Sequence, residues 1–140
     1  MQMNPYLSFD GTCREAFARY AEILGGEVVA LFDGSMAPEG AVEEDWGDRV
    51  MHAEVVVGDQ HLMGADTPPG TALAAGAPNL CVSVMVDGPA EAERVFAALC
   101  DGGSVQMPLG ETFFADRFGM CTDRFGTPWL IVGPDPNETT

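Results

Sequence analysis

The stretch Phe9-Asp10-Gly11, then thirteen residues (12–24), then Gly25-Gly26 recurs as Val86-Asp87-Gly88, thirteen residues (89–101) and Gly102-Gly103. The two copies are 77 residues apart. Further along the offset shortens to 68 and holds. Trp46-Gly47-Asp48-Arg49 lies over Phe114-Ala115-Asp116-Arg117, Gly58 over Gly126 and Leu62 over Leu130. The nine-residue difference falls between Gly34 and Asp45, whose Gly, Ser, Pro and Glu content is that of a surface loop. Two offsets that account for this many positions favour a duplicated unit.

Each copy has the same predicted layout. Tyr6–Phe9 and Leu80–Val86 are short strands. A helix follows each Asp-Gly, over Thr12–Leu24 and Pro89–Cys100. In the first, Ala16, Phe17, Tyr20, Ile23 and Leu24 recur at helical spacing; Thr12 with Glu15 fits a capping box, and Gly25 a helix stop. In the second, Pro89 suits the first turn, Val95, Phe96 and Leu99 form the apolar stripe, and Gly102 follows the end. Three strands come next in each half: Glu27–Asp33, Val50–Val57 and His61–Ala65, then Ser104–Met107 continuing through Glu111–Phe114, Phe118–Thr122 and Trp129–Val132. The result is βαβββ twice, in one α+β domain of two modules at about 1–68 and 78–134 with a frayed tail at 135–140.

Composition narrows the partners. The 140 residues match one ordinary domain and suffice for a core without metal or disulfide staples. No apolar run is long enough to span a bilayer, and the start has no basic segment followed by an apolar one, so a cytoplasmic protein is expected. Twenty-two acids against six bases, all Arg, give a net charge of −16. Such a chain repels nucleic-acid phosphates and anionic membranes, so neither is an expected partner. The acid excess serves solubility or draws in a cationic ligand. Cys13, Cys81, Cys100 and Cys121 form no CxxC pair and read as reduced thiols, with Cys81 and Cys100 as small hydrophobes in apolar stretches.

The tandem βαβββ layout resembles the vicinal oxygen chelate superfamily of glyoxalase I, extradiol dioxygenases, and fosfomycin and bleomycin resistance proteins, and most of all its PhnB-like branch. The residues that carry the likeness are Tyr6-Leu7-Ser8-Phe9-Asp10-Gly11, Glu15-Ala16, Tyr20, Leu24-Gly25-Gly26, Met51-His52-Ala53-Glu54 and Leu62-Met63-Gly64-Ala65-Asp66. Asp116-Arg117-Phe118-Gly119 and Asp123-Arg124-Phe125-Gly126-Thr127-Pro128-Trp129 complete it. The family usually has Trp-Gly at Phe114-Ala115 and Pro at Arg124, departures that spare the fold but alter the pocket. The resemblance implies curved mixed sheets around a cavity, and modules that pair in a homodimer. Some branch members are named for a ubiquinone methyltransferase. A nucleotide-type methyl donor needs a glycine-rich strand-to-helix turn, whereas the glycine pairs here follow helices.

Metal-dependent relatives draw His, Gln or Glu ligands from the first and last strand of each module. Here the closing strands offer Leu62 and Leu130, and the opening strands Tyr6, Ser8, Cys81 and Ser83. No metal site and no cofactor are therefore predicted. Strand alternation places Met51, Ala53, Val55 and Val57 on one apolar face and His52, Glu54 and Val56 on the other. His52 and Glu54 are the candidate catalytic residues, sharing a proton or binding a donor-rich ligand; the alternative is an ordinary pair on a sheet face. His61, beside the Gly58-Asp59 turn, reads as exposed. Ligand contacts are expected from Tyr6, Ser8, Ser83, Leu62, Leu130, Arg117 and Trp129. Arg117 either pairs with an acid across modules or grips a substrate carboxylate. Trp129, Phe113, Phe114 and Phe118 are either core or an aromatic wall. Met51, Met63, Met85 and Met120 are either core filler or an adaptable lining. The expected function is binding of a small organic ligand in the sheet cavity without the usual metal. The alternative is a metal-dependent lyase, dioxygenase or transferase-like enzyme acting on a small molecule with vicinal oxygens.

Overall fold

A computed structural model describes residues 1–41, 45–73 and 80–137. The chain divides into two compact units, Met1–Gly76 and Ala77–Thr140. The first contains β1 (Tyr6–Phe9), α1 (Cys13–Leu24), β2 (Glu27–Asp33), β3 (Val50–Val57) and β4 (Gln60–Asp66). The second contains β5 (Val82–Met85), α2 (Pro89–Cys100), β6 (Ser104–Gly110), β7 (Phe118–Thr122) and β8 (Pro128–Val132). Strand order is β1-β4-β3-β2 in one sheet and β5-β8-β7-β6 in the other. Among the described residues, the pairs β1/β4 and β5/β8 are parallel and the other four antiparallel. The two units thus share one mixed-sheet topology, as the repeat requires.

The glycine pairs explain how each helix hands over to its next strand. Gly25 takes φ +71 and closes α1 in the left-handed conformation, where a side chain is strained. Gly26 then lies so close to the Val56 carbonyl that a Cβ there would overlap it. Gly103, its repeat mate, is pressed in the same way against the Thr122 carbonyl.

In the first unit Phe9, Phe17 and Tyr20 pack ring against ring, at centroid separations of 5.8 to 6.4 Å. Ala53, Val55 and Leu62 are buried on the same side of the sheet as these rings. Gly64 completes that floor, since a Cβ there would stand 2.8 Å from Phe17 Cζ. In the second unit Trp129, Ile131 and Cys121 are buried with Val95 and Leu99 of α2. Trp129 Nε1 donates to Asp123 Oδ2 at 2.8 Å, while Asp123 Oδ1 accepts from the Phe125 and Thr127 amides. That buried carboxylate builds the β7–β8 turn.

Three local expectations are corrected. Thr12 makes no side-chain cap; Asp66 at the end of β4 accepts from the Cys13 amide at 3.0 Å and from the Val50 amide at 2.8 Å. A carboxylate from another strand thus serves the positive end of α1. On β3 the core residues are Val50, Ala53 and Val55, whereas Met51 and Val57 are only half-buried. The register runs Phe32↔His52 and then Asp33↔Val50, so Met51 is the extra residue of a bulge and the alternation resets there. β6 stops at Gly110. Beyond it the Thr112 hydroxyl accepts from the Phe114 and Ala115 amides, a local turn that competes with a strand at 111–114. At the C-terminal end, Asn137 Nδ2 donates to the Phe113 carbonyl at 3.0 Å. Residues 138–140 of the expected tail, and 42–44 of the expected loop, lie outside the described residues.

Asp33 is held below the usual carboxylate range, first by the Ser35 hydroxyl and then by Arg14, whose Nη2 is 2.7 Å away. A depressed folded value stabilises the fold above the ordinary carboxylate range, and that contribution disappears as pH falls through the lowered value. Asp33→Asn is therefore expected to flatten the acid limb of a denaturation curve measured against pH.

Candidate functional site

The register of the first sheet sets out its face opposite α1. Tyr6, Met63 and Glu54 are successive neighbours across β1, β4 and β3. One step along, Ser8 lies beside Ala65, and His52 beside Phe32. Val56 faces His61 across the β3–β4 hairpin. Paired residues share a face, so a phenol, two imidazoles, a carboxylate and an exposed phenyl ring occupy one surface.

His52 sits between two aromatic rings. Its centroid is 5.8 Å from that of Tyr6 and 6.4 Å from that of Phe32, with interplanar angles of 29° and 21°. Tyr6 and Phe32 are each 53% exposed. The Tyr6 hydroxyl is 3.1 Å from His52 Nδ1. Burial pushes the Tyr6 phenol above its ordinary value, with a further contribution from Cys13, so it stays a protonated donor at neutral pH. Glu54 is paired differently: its Oε1 meets Nδ1 of His61.

His52 and Glu54 therefore share a face as expected, but each has its own partner. His61, read from sequence as exposed, is half-buried against Glu54. Its role was legible. A tight turn at Gly58-Asp59 sets the hairpin register, and that register puts His61 diagonally opposite Glu54.

Leu62 and Trp129, expected as ligand contacts, are buried on the helix-covered face, Trp129 completely. On the second sheet Ser83, Leu130 and Met120 are lateral neighbours on the opposite face, where Ser83 is exposed. Met120 there stands where the repeat places His52 in the first unit, and Thr122 where it places Glu54. Among the described residues, the open face of the second sheet thus has no counterpart of the His52 and Glu54 side chains. Arg117 is met by Glu93 and Glu111 at 3.6 and 3.5 Å and donates to the Asp116 carbonyl, all within its own unit. Arg49 likewise pairs with Asp10 and the Thr67 carbonyl of its own unit. Phe113 and Phe114 are exposed and meet edge to face, as do Phe114 and Phe118.

Among the described residues, no three His, Cys, Asp or Glu side chains converge on a point where they would share an ion. Tyr6, Ser8 and the buried Leu62, at the strand positions where the resemblance implies metal ligands, are not a donor set that fits a divalent cation. No helix among the described residues is long and apolar enough to cross a membrane.

The thiols differ in access. Burial, seconded by Asp66, pushes Cys13 up to about 12, and burial with the neighbouring Cys100 thiol does the same to Cys121. Cys81 is exposed. Alkylation with iodoacetamide followed by peptide mass mapping is expected to label Cys81 first and to leave Cys13 and Cys121 unlabelled until the protein unfolds.

The two like-built modules, each a four-stranded mixed sheet packed against one helix, are of α+β class. A family profile described as 3-demethylubiquinone-9 3-methyltransferase matches residues 1–132, and the chain belongs to that PhnB-like family. It is 33% identical to protein YjdN of Escherichia coli (strain K12) over 141 residues, covering 94% of each chain. The structure of protein PA1353 from Pseudomonas aeruginosa is 48% identical, with a TM-score of 0.86 over 96% of this chain and 98% of that one. The PhnB protein from Bacillus cereus has the same fold at 24% identity and a TM-score of 0.79, covering 95% and 99%. A glyoxylase/bleomycin resistance protein/dioxygenase domain from Frankia sp. EAN1pec shares the fold at 15% identity and a TM-score of 0.67, covering 99% and 94%.

Proposed function

We propose that this protein binds a small, planar organic molecule on the open face of its first sheet, without a divalent metal, and acts as a homodimer. The observation that carries the proposal is the exposed ring row Tyr6–His52–Phe32 beside the Glu54–His61 pair. Aromatic side chains with a few polar groups among them are the usual lining of a ligand site. The charge of −16 favours a cationic ligand over an anionic one. A methyl-transfer role draws no support from the fold. β1 leads to α1 through Asp10-Gly11-Thr12, and a nucleotide-binding glycine fingerprint is absent from that turn.

The test is a thermal-shift screen of planar aromatic compounds that are cationic, neutral and anionic, on the native protein and on His52→Ala. Binding to the native state raises the melting temperature. Cations are expected to give the largest shifts, weakened by salt, and His52→Ala to abolish them. Shifts that are largest for anions, or unchanged in His52→Ala, refute the proposal. Sedimentation equilibrium tests the dimer.

A further inference from the structure

The second unit brings two thiols together where its helix ends. Cys100 is the last residue of α2, and α2 packs on β6, β7 and β8. The Gly103 amide donates to the Cys100 carbonyl at 2.8 Å, so the chain reverses at once. It re-enters the sheet as β6, with Ser104 beside Thr122 and Val105 beside Cys121. Gly103, pressed against the Thr122 carbonyl, holds this turn down on β7. The end of the helix is thereby brought to Cys121, which is 1% exposed on the helix-covered face. The repeat puts Ile23 and Ala53 at the same two places of the first unit, and both are buried there. In the second unit the two places carry sulfur, and the Cys121 S–H donates to the Cys100 sulfur. Burial raises both thiols; the bond between them then lowers Cys100 and raises Cys121 further. Cys100 is half-buried and Cys121 closed off, so the thiol that ionises first is also the one that solvent reaches.

We propose that Cys100 and Cys121 are a reversible redox pair, closed to a disulfide by a hydroperoxide. The Cys100 sulfur, as its thiolate, attacks an oxygen of the peroxide. An S–O bond forms, the O–O bond breaks, and with hydrogen peroxide the departing oxygen leaves as water carrying the thiol's proton. Cys100 is then a sulfenic acid. The Cys121 sulfur attacks it, an S–S bond forms, the S–O bond breaks, and the hydroxyl leaves as a second water with the Cys121 proton. The two sulfurs together give up two electrons, which the peroxide takes. The link closes a loop over residues 100–121 and ties the end of α2 to β7, which stabilises the second unit. A dithiol reductant reopens it. No group on the first sheet takes part.

Trypsin cuts after Arg94, Arg117 and Arg124, so the two thiols fall in separate peptides, 95–117 and 118–124. The folded native protein is treated with hydrogen peroxide, then alkylated in urea and digested without reductant. Mass mapping is expected to show the two peptides joined, lighter by two hydrogens, and separated again by dithiothreitol. Cys81→Ser, which removes the exposed thiol, is expected to give the same link. Cys121→Ser is expected to stop at a Cys100 sulfenic acid that dimedone traps. In Cys100→Ser, Cys121 is expected to react at least about 10-fold more slowly than the native pair closes. The oxidised native protein is expected to unfold at a higher urea concentration than the reduced one. The proposal is overturned if the folded native protein gives no joined peptide, if the link forms only in urea, or if Cys100 runs on to the sulfinic acid with Cys121 still free. Those outcomes are read on the native protein, whether or not the buried substitutions fold.

Discussion

Gly103→Ala is expected to lower the unfolding free energy by about 3 kcal/mol, read as a fall in the urea midpoint at constant slope. Its new methyl group would overlap the Thr122 carbonyl, a backbone atom held in the β6–β7 ladder that cannot step aside cheaply. Gly26→Ala meets the Val56 carbonyl in the same way, with the Val57 side chain close behind, and is expected to cost a similar amount. Gly25→Ala is the control. Nothing lies within 4 Å of its added Cβ, so only the strain of φ +71 is incurred, about 1 kcal/mol. If adjacent substitutions at 25 and 26 cost the same, close backbone approach is not why the second glycine of each pair is there.

Asp66→Ala is expected to cost about 3 kcal/mol, because it strips the Cys13 and Val50 amides of their buried acceptor at once. Those bonds join α1, β3 and β4, so the loss is spread over the unit that carries the candidate site. Asp66→Asn keeps one good acceptor oxygen and should cost about half as much. A Thr12→Ala change, by contrast, is expected to stay within about 0.5 kcal/mol, because its hydroxyl caps nothing. A large effect at Thr12 with a small one at Asp66 would reverse the assignment of the cap.

Much of this architecture was legible because it rests on local chemistry. The glycine pairs need a positive φ and then a close approach, and those demands appear as Gly-Gly at the end of both helices. Strand and helix spans followed from periodicity, and β3 from Val50 to Val57 agrees residue for residue. What sequence missed depends on partners distant along the chain. Thr12 with Glu15 has the form of a capping box, but Thr12 makes no cap bond, and Asp66, 53 residues beyond Cys13, accepts from the Cys13 amide. The β2–β3 bulge exchanges Met51 for Val50 in the core, and no local signal marks it. Trp129 has the look of a ligand wall until its indole N–H is seen to satisfy Asp123 inside the second unit.

At the candidate site, alternation alone put His52 and Glu54 on one face. It could not say that a long tyrosine side chain on β1 reaches His52 across β4, since β1 joins β4 through a parallel pairing formed only in the folded sheet. His61 is the opposite case. The hairpin register was there to be counted, and doing so brings it to Glu54.

The decisive experiment is amide chemical-shift mapping with the strongest planar cation from the thermal-shift screen. The largest changes are predicted at Tyr6, Phe32, His52, Glu54 and His61, and Phe32→Ala, which leaves the buried face untouched, should weaken binding at least about 10-fold. Shifts centred on other residues, with Phe32→Ala binding as tightly as the native protein, would contradict a ligand site on this sheet.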